Sequence, residues 1–175
     1  MHERNALVLI DIQREYVTEG RPFHIRSIGP SLENAKKLLE NARTEGWAIA
    51  HVRHLQEGKI FNDNSEFSDF VSGFEPRIGE REIVKNQFSC FSSPEFSQMM
   101  ERLQEYRIHV IGYGSTMCCL STIVEGYHRG FQMVFVHDAS NAKKMDRFGE
   151  ESHHAHVTEI LSTFAEVLPT KRIAG

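Results

Sequence analysis

The chain has 175 residues, of which 25% are charged, and a formal net charge of -4 at pH 7. This length suits one hydrophobic core, so we expect a single domain over residues 1–175. The charge balance lacks the excess of lysine and arginine that follows a phosphate backbone, which argues against a nucleic-acid partner.

Cysteine content and apolar runs indicate the compartment. The chain has three cysteines, an odd number that does not form a disulfide framework and that fits a reducing environment. The first apolar run, Ala6 to Ile10, ends at Asp11 and is too short for the hydrophobic region of a signal peptide. No apolar run approaches the roughly 20 residues that span a membrane. We therefore predict a cytoplasmic protein without a membrane partner.

The first apolar segments predict a strand, a helix and a second strand. The run over residues 6–10 is typical of a strand buried on both faces, as in a parallel sheet, and Asp11 follows it. A helix is expected over residues 30–46, with Gly46 at its carboxyl end, and a buried strand over residues 47–52. This succession implies a right-handed crossover between parallel strands.

Residues 53–81 form a long connection in which the periodicity fades, although residues 67–71 favour a short helix. A connection of this length in a compact domain is usually functional, often as a lid or a pocket wall. His54 begins it, and an isolated histidine is more often a surface or packing residue than a ligand.

The remainder of the chain continues the alternation of strands and helices. Helices are expected from Pro94, after the turn at Cys118 and from about Gly149, and strands are expected over residues 82–85, 108–111, 131–136 and 166–168. Six strands alternating with helices predict an open, mostly parallel α/β sheet with helices on both faces. In such a sheet, ligands bind at the carboxyl ends of the strands.

Cys118 follows a buried strand and a glycine-rich turn, and it begins a helix. The dipole and the free N–H groups of a helix start favour thiolate over thiol, which makes Cys118 a candidate nucleophile. Cysteine is also among the most buried residue types, so an inert packing role is the alternative. Cys119 lies about 100° further round the helix axis and points into the packing face or a pocket wall.

Asp11 and Lys85 also lie at the carboxyl ends of predicted strands. Together with Cys118 they supply an acid, a cation and a nucleophile. In this arrangement Asp11 takes the thiol proton, while Lys85 keeps Asp11 ionised and stabilises developing charge. The separate alternatives are a turn-capping role for Asp11 and a solvated surface charge for Lys85.

Three motifs containing these residues resemble those of the isochorismatase-like cysteine hydrolases, which include nicotinamidases and N-carbamoylsarcosine amidases. The run over residues 6–13 resembles an apolar strand ending in Asp-x-Gln, with Tyr16 at a usual aromatic position. Residues 84–91 resemble the lysine motif, which ends in an aromatic. Residues 112–122 resemble Gly-x-x-Thr-x-x-Cys-x-x-x-Thr, with serine at the first threonine. The resemblance places Cys118 on the nucleophile.

The resemblance also implies features of the backbone and the assembly. It implies a cis peptide bond between Tyr113 and Gly114, and an oxyanion hole formed by the N–H groups of Gly114 and Cys118. It implies a homo-oligomer, either a dimer or a larger assembly.

The residues present argue against a metal ion. Nicotinamidases have an Asp-x-His metal pair after the second strand, whereas Arg53 takes the place of the acid here. The histidines of a second cluster, His153, His154 and His156, lead into the last helix and are assigned no metal role. We predict no metal and no other cofactor.

The leading prediction is a cysteine-dependent amidohydrolase that cleaves a small amide or carbamoyl C–N bond through a thioester. The alternative is a catalytically silent ligand-binding or regulatory protein of the same fold. A dinucleotide-binding redox protein is disfavoured, because the glycine motif lacks its third glycine. By position, five residues are candidates for the substrate pocket, although packing is an equally good role for the aromatic ones: Tyr16, His54, Phe61, Phe91 and Tyr113.

Overall fold

The structure, a computed structural model, describes residues 4–175 and contains one six-stranded parallel sheet. The strand order is β3-β2-β1-β4-β5-β6, and every neighbouring pair is parallel. The strands are β1 (Asn5–Ile10), β2 (Ala48–His54), β3 (Arg81–Lys85), β4 (Arg107–Tyr113), β5 (Gln132–Asn141) and β6 (Glu166–Leu168). The predicted open α/β fold is confirmed.

Five α-helices connect the strands and cover the sheet. They are α1 (Arg14–Val17), α2 (Ile28–Thr44), α3 (Pro94–Arg102), α4 (Leu120–His128) and α5 (Glu150–Leu161). A short helix was expected over residues 67–71; a single 3-10 turn, Glu66–Ser68, is found instead. A π-helical turn, Ser115–Cys119, precedes α4.

The sheet separates two hydrophobic layers because successive side chains of a strand point to opposite faces. Ala6, Val8 and Ile10 of β1 pack with the layer that contains α3, α4 and α5. Leu7 and Leu9 pack with the layer that contains α2. The apolar run of β1 is therefore explained by burial on both sides.

The connection between β2 and β3 is held at both ends by buried polar contacts. Near its start, the Gln13 amide donates to the carbonyl oxygens of His54 and Ser68 and accepts from the His54 N–H. Near its end, Glu80 accepts from Arg43 at 2.7 Å and contacts His51 Nε2 at 2.7 Å. The first set of contacts holds the segment at the carboxyl end of β2, and the second set holds it at the amino end of β3.

The described residues contain no helix long and apolar enough to cross a membrane. Residues 1–3 lie outside the described residues. The prediction that no signal peptide is present depends partly on them, and the predicted 1–175 domain includes them.

Candidate active site

The carboxyl ends of β1, β3 and β4 bring the three candidate catalytic side chains together. Lys85 Nζ donates to Asp11 Oδ2 at 3.0 Å and to Cys118 Sγ at 3.4 Å. The side chains of Asp11 and Lys85 are fully buried. Because β1 lies between β2 and β4, the strand order reverses beside Asp11, which is where open α/β sheets bind ligands.

The Lys85 ammonium is surrounded by acceptors. Besides Asp11 and Cys118, it contacts His54 Nδ1 at 3.0 Å and the Gln87 carbonyl oxygen at 3.2 Å. Burial alone would lower the pKa of Lys85, but the negative charge of Asp11 outweighs burial and raises that pKa. The side chain is therefore a permanent cation, in contrast to the surface-charge alternative.

His54 is fixed by contacts on both ring nitrogens. Its Nδ1 accepts a hydrogen bond from the Lys85 ammonium. The ring hydrogen is therefore on Nε2, which donates to Gln56 Oε1 at 3.0 Å. The ring also packs edge-on against Phe61. These contacts select one tautomer of a neutral imidazole.

Two glycines shape the turn that carries Cys118. At Gly112, whose φ is 129°, a Cβ would lie 1.9 Å from the Ile10 carbonyl oxygen, so only glycine allows β4 to approach the end of β1. At Gly114, whose φ is 67°, a Cβ would lie 3.7 Å from Cys118 Sγ and 3.8 Å from Cys118 N. The absence of a side chain at Gly114 leaves space beside the thiol.

The peptide bond between Tyr113 and Gly114 corrects one expectation. Among residues 4–175 no peptide bond is cis, so the expected cis bond is wrong. The chain turns at Gly114 instead, because glycine adopts its left-handed conformation without a steric penalty.

The thiol of Cys118 also differs from the expectation of a favoured thiolate. Burial raises the pKa of Cys118 well above its usual value, and the charge of Asp11 raises it further, while Lys85 lowers it. Asp11 Oδ1 is buried and has no hydrogen-bond partner among the described residues. The free site therefore contains a protonated thiol next to a carboxylate oxygen that can accept a proton.

Of the three cysteines, Cys118 is the one that lines a cavity. Cys90 and Cys119 are completely buried, and Cys119 packs in the layer under α4. Thr122, the last residue of the motif, accepts a hydrogen bond from the Cys90 N–H. Cys118 is therefore the cysteine placed to meet a ligand in this cavity, and its role as the nucleophile stays a prediction.

The cavity beside the thiol has a volume of about 50 Å³. Three of the five expected pocket residues line it, namely Tyr16, His54 and Phe61. Sequence reasoning missed four further lining residues: Phe23, Gln56, Phe88 and Met117. Met117 was detectable because it precedes the cysteine, whereas Phe23 and Phe88 lie in irregular segments without a periodic signal.

Two expected pocket residues lie elsewhere, which corrects those predictions. Phe91 packs among core rings, 5.0 Å from the Phe96 centroid and 5.8 Å from the Phe131 centroid. Tyr113 lies behind Tyr16, with the ring centroids 5.6 Å apart, and its hydroxyl contacts Ser31. In both cases the position along the chain suggested a place in the pocket, but the aromatic ring is buried in the hydrophobic core instead.

The three histidines of the second cluster lie within α5 and contact separate partners. His154 accepts from the Ser115 hydroxyl at 2.8 Å and donates to the His137 carbonyl at 2.8 Å. His153 and His156 each contact a different backbone carbonyl, of Lys143 and Ser152. Ser115 thus uses its hydroxyl to anchor α5, and the histidines do not converge on a common point.

A different trio of side chains in the described part of the chain has converging ligand atoms. Atoms of Asp11, His54 and Cys118 lie within 4.8 Å of one another. The Lys85 ammonium contacts all three, so a covalently attached cation already occupies the point where a metal ion would bind. A metal ion there would first have to displace the ammonium.

Comparison with known proteins agrees with the fold and identifies the family. An isochorismatase-family protein of Bacillus subtilis, YddQ, is 27% identical over 95% of this chain and 96% of its own. A maleamate amidohydrolase of Pseudomonas putida is 21% identical over 93% of this chain and 82% of its own. An isochorismatase structure from P. putida KT2440 has 25% identity and a TM-score of 0.87, covering 97% of this chain and 89% of that one. The isochorismatase domain family matches residues 5–172, and the chain belongs to that family.

Proposed function

We propose that this isochorismatase-family hydrolase is a cysteine-dependent amidohydrolase that cleaves a small amide or carbamoyl C–N bond. The contact of the Lys85 ammonium with both Asp11 and Cys118, at the wall of a cavity, is the observation that carries the proposal. The similarity to a maleamate amidohydrolase supports cleavage of a C–N bond.

The proposed reaction begins with attack of Cys118 Sγ on the amide carbonyl carbon. Asp11 takes the thiol proton as the S–C bond forms, which matches the raised pKa of Cys118, because the proton leaves only when substrate is present. The carbonyl oxygen becomes an oxyanion, and we assign its stabilisation to the N–H groups of Gly114 and Cys118.

The second half of the reaction reuses the same carboxyl group. Asp11 gives its proton to the leaving nitrogen as the C–N bond breaks, which leaves a thioester on Cys118. Water then attacks the thioester while Asp11 accepts one water proton and returns it to the departing sulfur. Lys85 contacts both Asp11 and Cys118, so its positive charge stabilises the negative charge on whichever of the two groups carries it at each step.

A second candidate, a ligand-binding protein without turnover, is favoured by one observation. Burial raises the pKa of Cys118, and a buried protonated thiol is a poor nucleophile until a base acts on it. The two candidates differ in one measurable property, which is the formation of a covalent intermediate.

A screen of small amides, following ammonia release and the intact mass of the protein, tests the proposal. We expect turnover and transient mass gain on Cys118. Cys118→Ser should lower turnover by at least about 10³-fold, and Cys119→Ala should retain most of it. Binding of amides without ammonia release or mass gain would favour the ligand-binding candidate, and equal loss in both variants would refute the assignment of the nucleophile.

We also propose that the protein acts in the cytoplasm as a single domain that forms a homo-oligomer. The three cysteines are unpaired, which supports a reducing compartment. Light scattering after size-exclusion chromatography measures the assembly directly, and a monomer at micromolar concentration would refute the oligomer.

A further inference from the structure

We propose, building on the amidohydrolase function above, that the cavity selects small uncharged amides and rejects amides that carry a carboxylate. The isochorismatase family match does not distinguish these two classes, and maleamate itself carries a carboxylate. The chemistry of the cavity wall makes the distinction.

In the described part of the chain, the cavity wall offers a substrate no cation, and its one carboxylate is already paired with Lys85. Within the described residues, its lining includes Asp11 but no lysine or arginine. Most of the remaining wall is aromatic or thioether: Tyr16, Phe23, Phe61, Phe88 and Met117. A substrate carboxylate would lose its water there without meeting a guanidinium or ammonium group, which is unfavourable.

The free oxygen of Asp11 strengthens this preference. Asp11 is a lining residue of the cavity, and its buried Oδ1 has no hydrogen-bond partner among the described residues. Such an oxygen accepts hydrogen bonds from N–H groups and repels a second carboxylate. A primary amide or carbamoyl nitrogen supplies the donors that this oxygen lacks.

The nearby Lys85 does not provide a binding site for a carboxylate. Its side chain is fully buried, and its three protons already face four acceptors within 3.4 Å. Its charge is balanced by Asp11 at 3.0 Å. A substrate carboxylate would have to break this buried ion pair in order to use the ammonium.

Lys143 is the other cation to consider, because it lies near a lining residue. Its Nζ is 4.2 Å from the centre of the Phe23 ring and 3.5 Å from the Pro22 carbonyl oxygen. It does not line the cavity. A substrate long enough to pass Phe23 would reach it, so the experiment includes Lys143→Met.

The first arm of the experiment measures charge selection without requiring turnover. Iodoacetamide and iodoacetate alkylate thiols by the same displacement of iodide and differ in an amide versus a carboxylate. We expect the rate ratio of iodoacetamide to iodoacetate at Cys118 to exceed the ratio at glutathione by at least about tenfold. Peptide mass spectrometry separates Cys118 from Cys90 and Cys119, and Cys118→Ala is the control.

The second arm compares three amides of similar size: butyramide, succinamide and succinamate. Succinamide and succinamate differ at one end only, which is an uncharged amide in the first and a carboxylate in the second. We expect kcat/KM for butyramide to exceed that for succinamate by at least about 100-fold, with succinamide between them. Phe88→Arg, at an exposed position of the cavity wall, should raise the relative rate with succinamate and with iodoacetate.

The outcomes separate this inference from the proposed function. Charge selection in the alkylation arm without turnover of any amide would refute the amidohydrolase and leave the selection standing. A kcat/KM for succinamate equal to or higher than that for butyramide would refute the selection. If Lys143→Met then abolished turnover of succinamate, Lys143 would be the cation that binds the carboxylate. No alkylation and no turnover would refute both.

Discussion

Replacing Lys85 with methionine is expected to lower the free energy of unfolding by about 3–5 kcal/mol, because it leaves a buried carboxylate without its partner. Asp11 and Lys85 have fully buried side chains and are 3.0 Å apart. Asp11 Oδ1 already lacks a partner, so the substitution would leave both oxygens unpaired. Methionine keeps the unbranched stem and thus limits the change to the charge.

Urea unfolding followed by circular dichroism measures this effect. A loss of this size should lower the midpoint by at least about 1 M, given typical slopes for small proteins. The double variant Asp11→Asn/Lys85→Met contains neither charge, so it should be more stable than Lys85→Met by about 2 kcal/mol. Lys85→Met within about 1 kcal/mol of the wild type, or a double variant less stable than the single one, would refute the buried ion pair.

Three further substitutions test other parts of the structure. Gly112→Ala should cost at least about 3 kcal/mol in urea unfolding, from a steric clash and a positive φ, whereas Gly29→Ala, with nothing within 4 Å, should cost less than about 1 kcal/mol. Partial burial alone would raise the pKa of Glu80, but hydrogen bonds outweigh it and lower the pKa from 4.5 to about 2. The stability that Glu80 contributes is therefore present above pH 4.5 and lost as the pH falls towards 2, so the stability difference from Glu80→Gln should shrink over that interval. His54→Leu removes an acceptor of the Lys85 ammonium and should lower kcat more than His54→Asn, which keeps an acceptor; equal losses would refute this role.

The alternation of strands and helices was predictable because parallel strands buried on both faces are continuous apolar runs. Residues 6–10 illustrate this, since their side chains alternate between two hydrophobic layers. The convergence of Asp11, Lys85 and Cys118 was predictable for a related reason, because each follows or ends a strand and carboxyl ends share one edge of a parallel sheet.

Other features of the site depend on tertiary packing that has no local signal. Phe23 and Phe88 reach the cavity from irregular segments, whereas Phe91, three residues after Phe88, turns into the core. The raised pKa of Cys118 depends on burial by distant segments, while the helix-start argument considers only the local backbone. The order of strands and residues along the chain therefore predicted which candidate side chains meet, whereas long-range packing determines the pKa of the thiol and the lining of the cavity.

The position of the Lys85 ammonium explains why these features belong together. It contacts an oxygen, a nitrogen and a sulfur, of Asp11, His54 and Cys118, at distances of 3.0 to 3.4 Å. A single positive charge at this point neutralises Asp11, so the pair adds no net charge to the cavity while the thiol remains protonated. In the proposed mechanism, transfer of the thiol proton to Asp11 moves the negative charge to sulfur, which is also in contact with the ammonium. The charges of the site therefore compensate one another, which is consistent with an uncharged substrate.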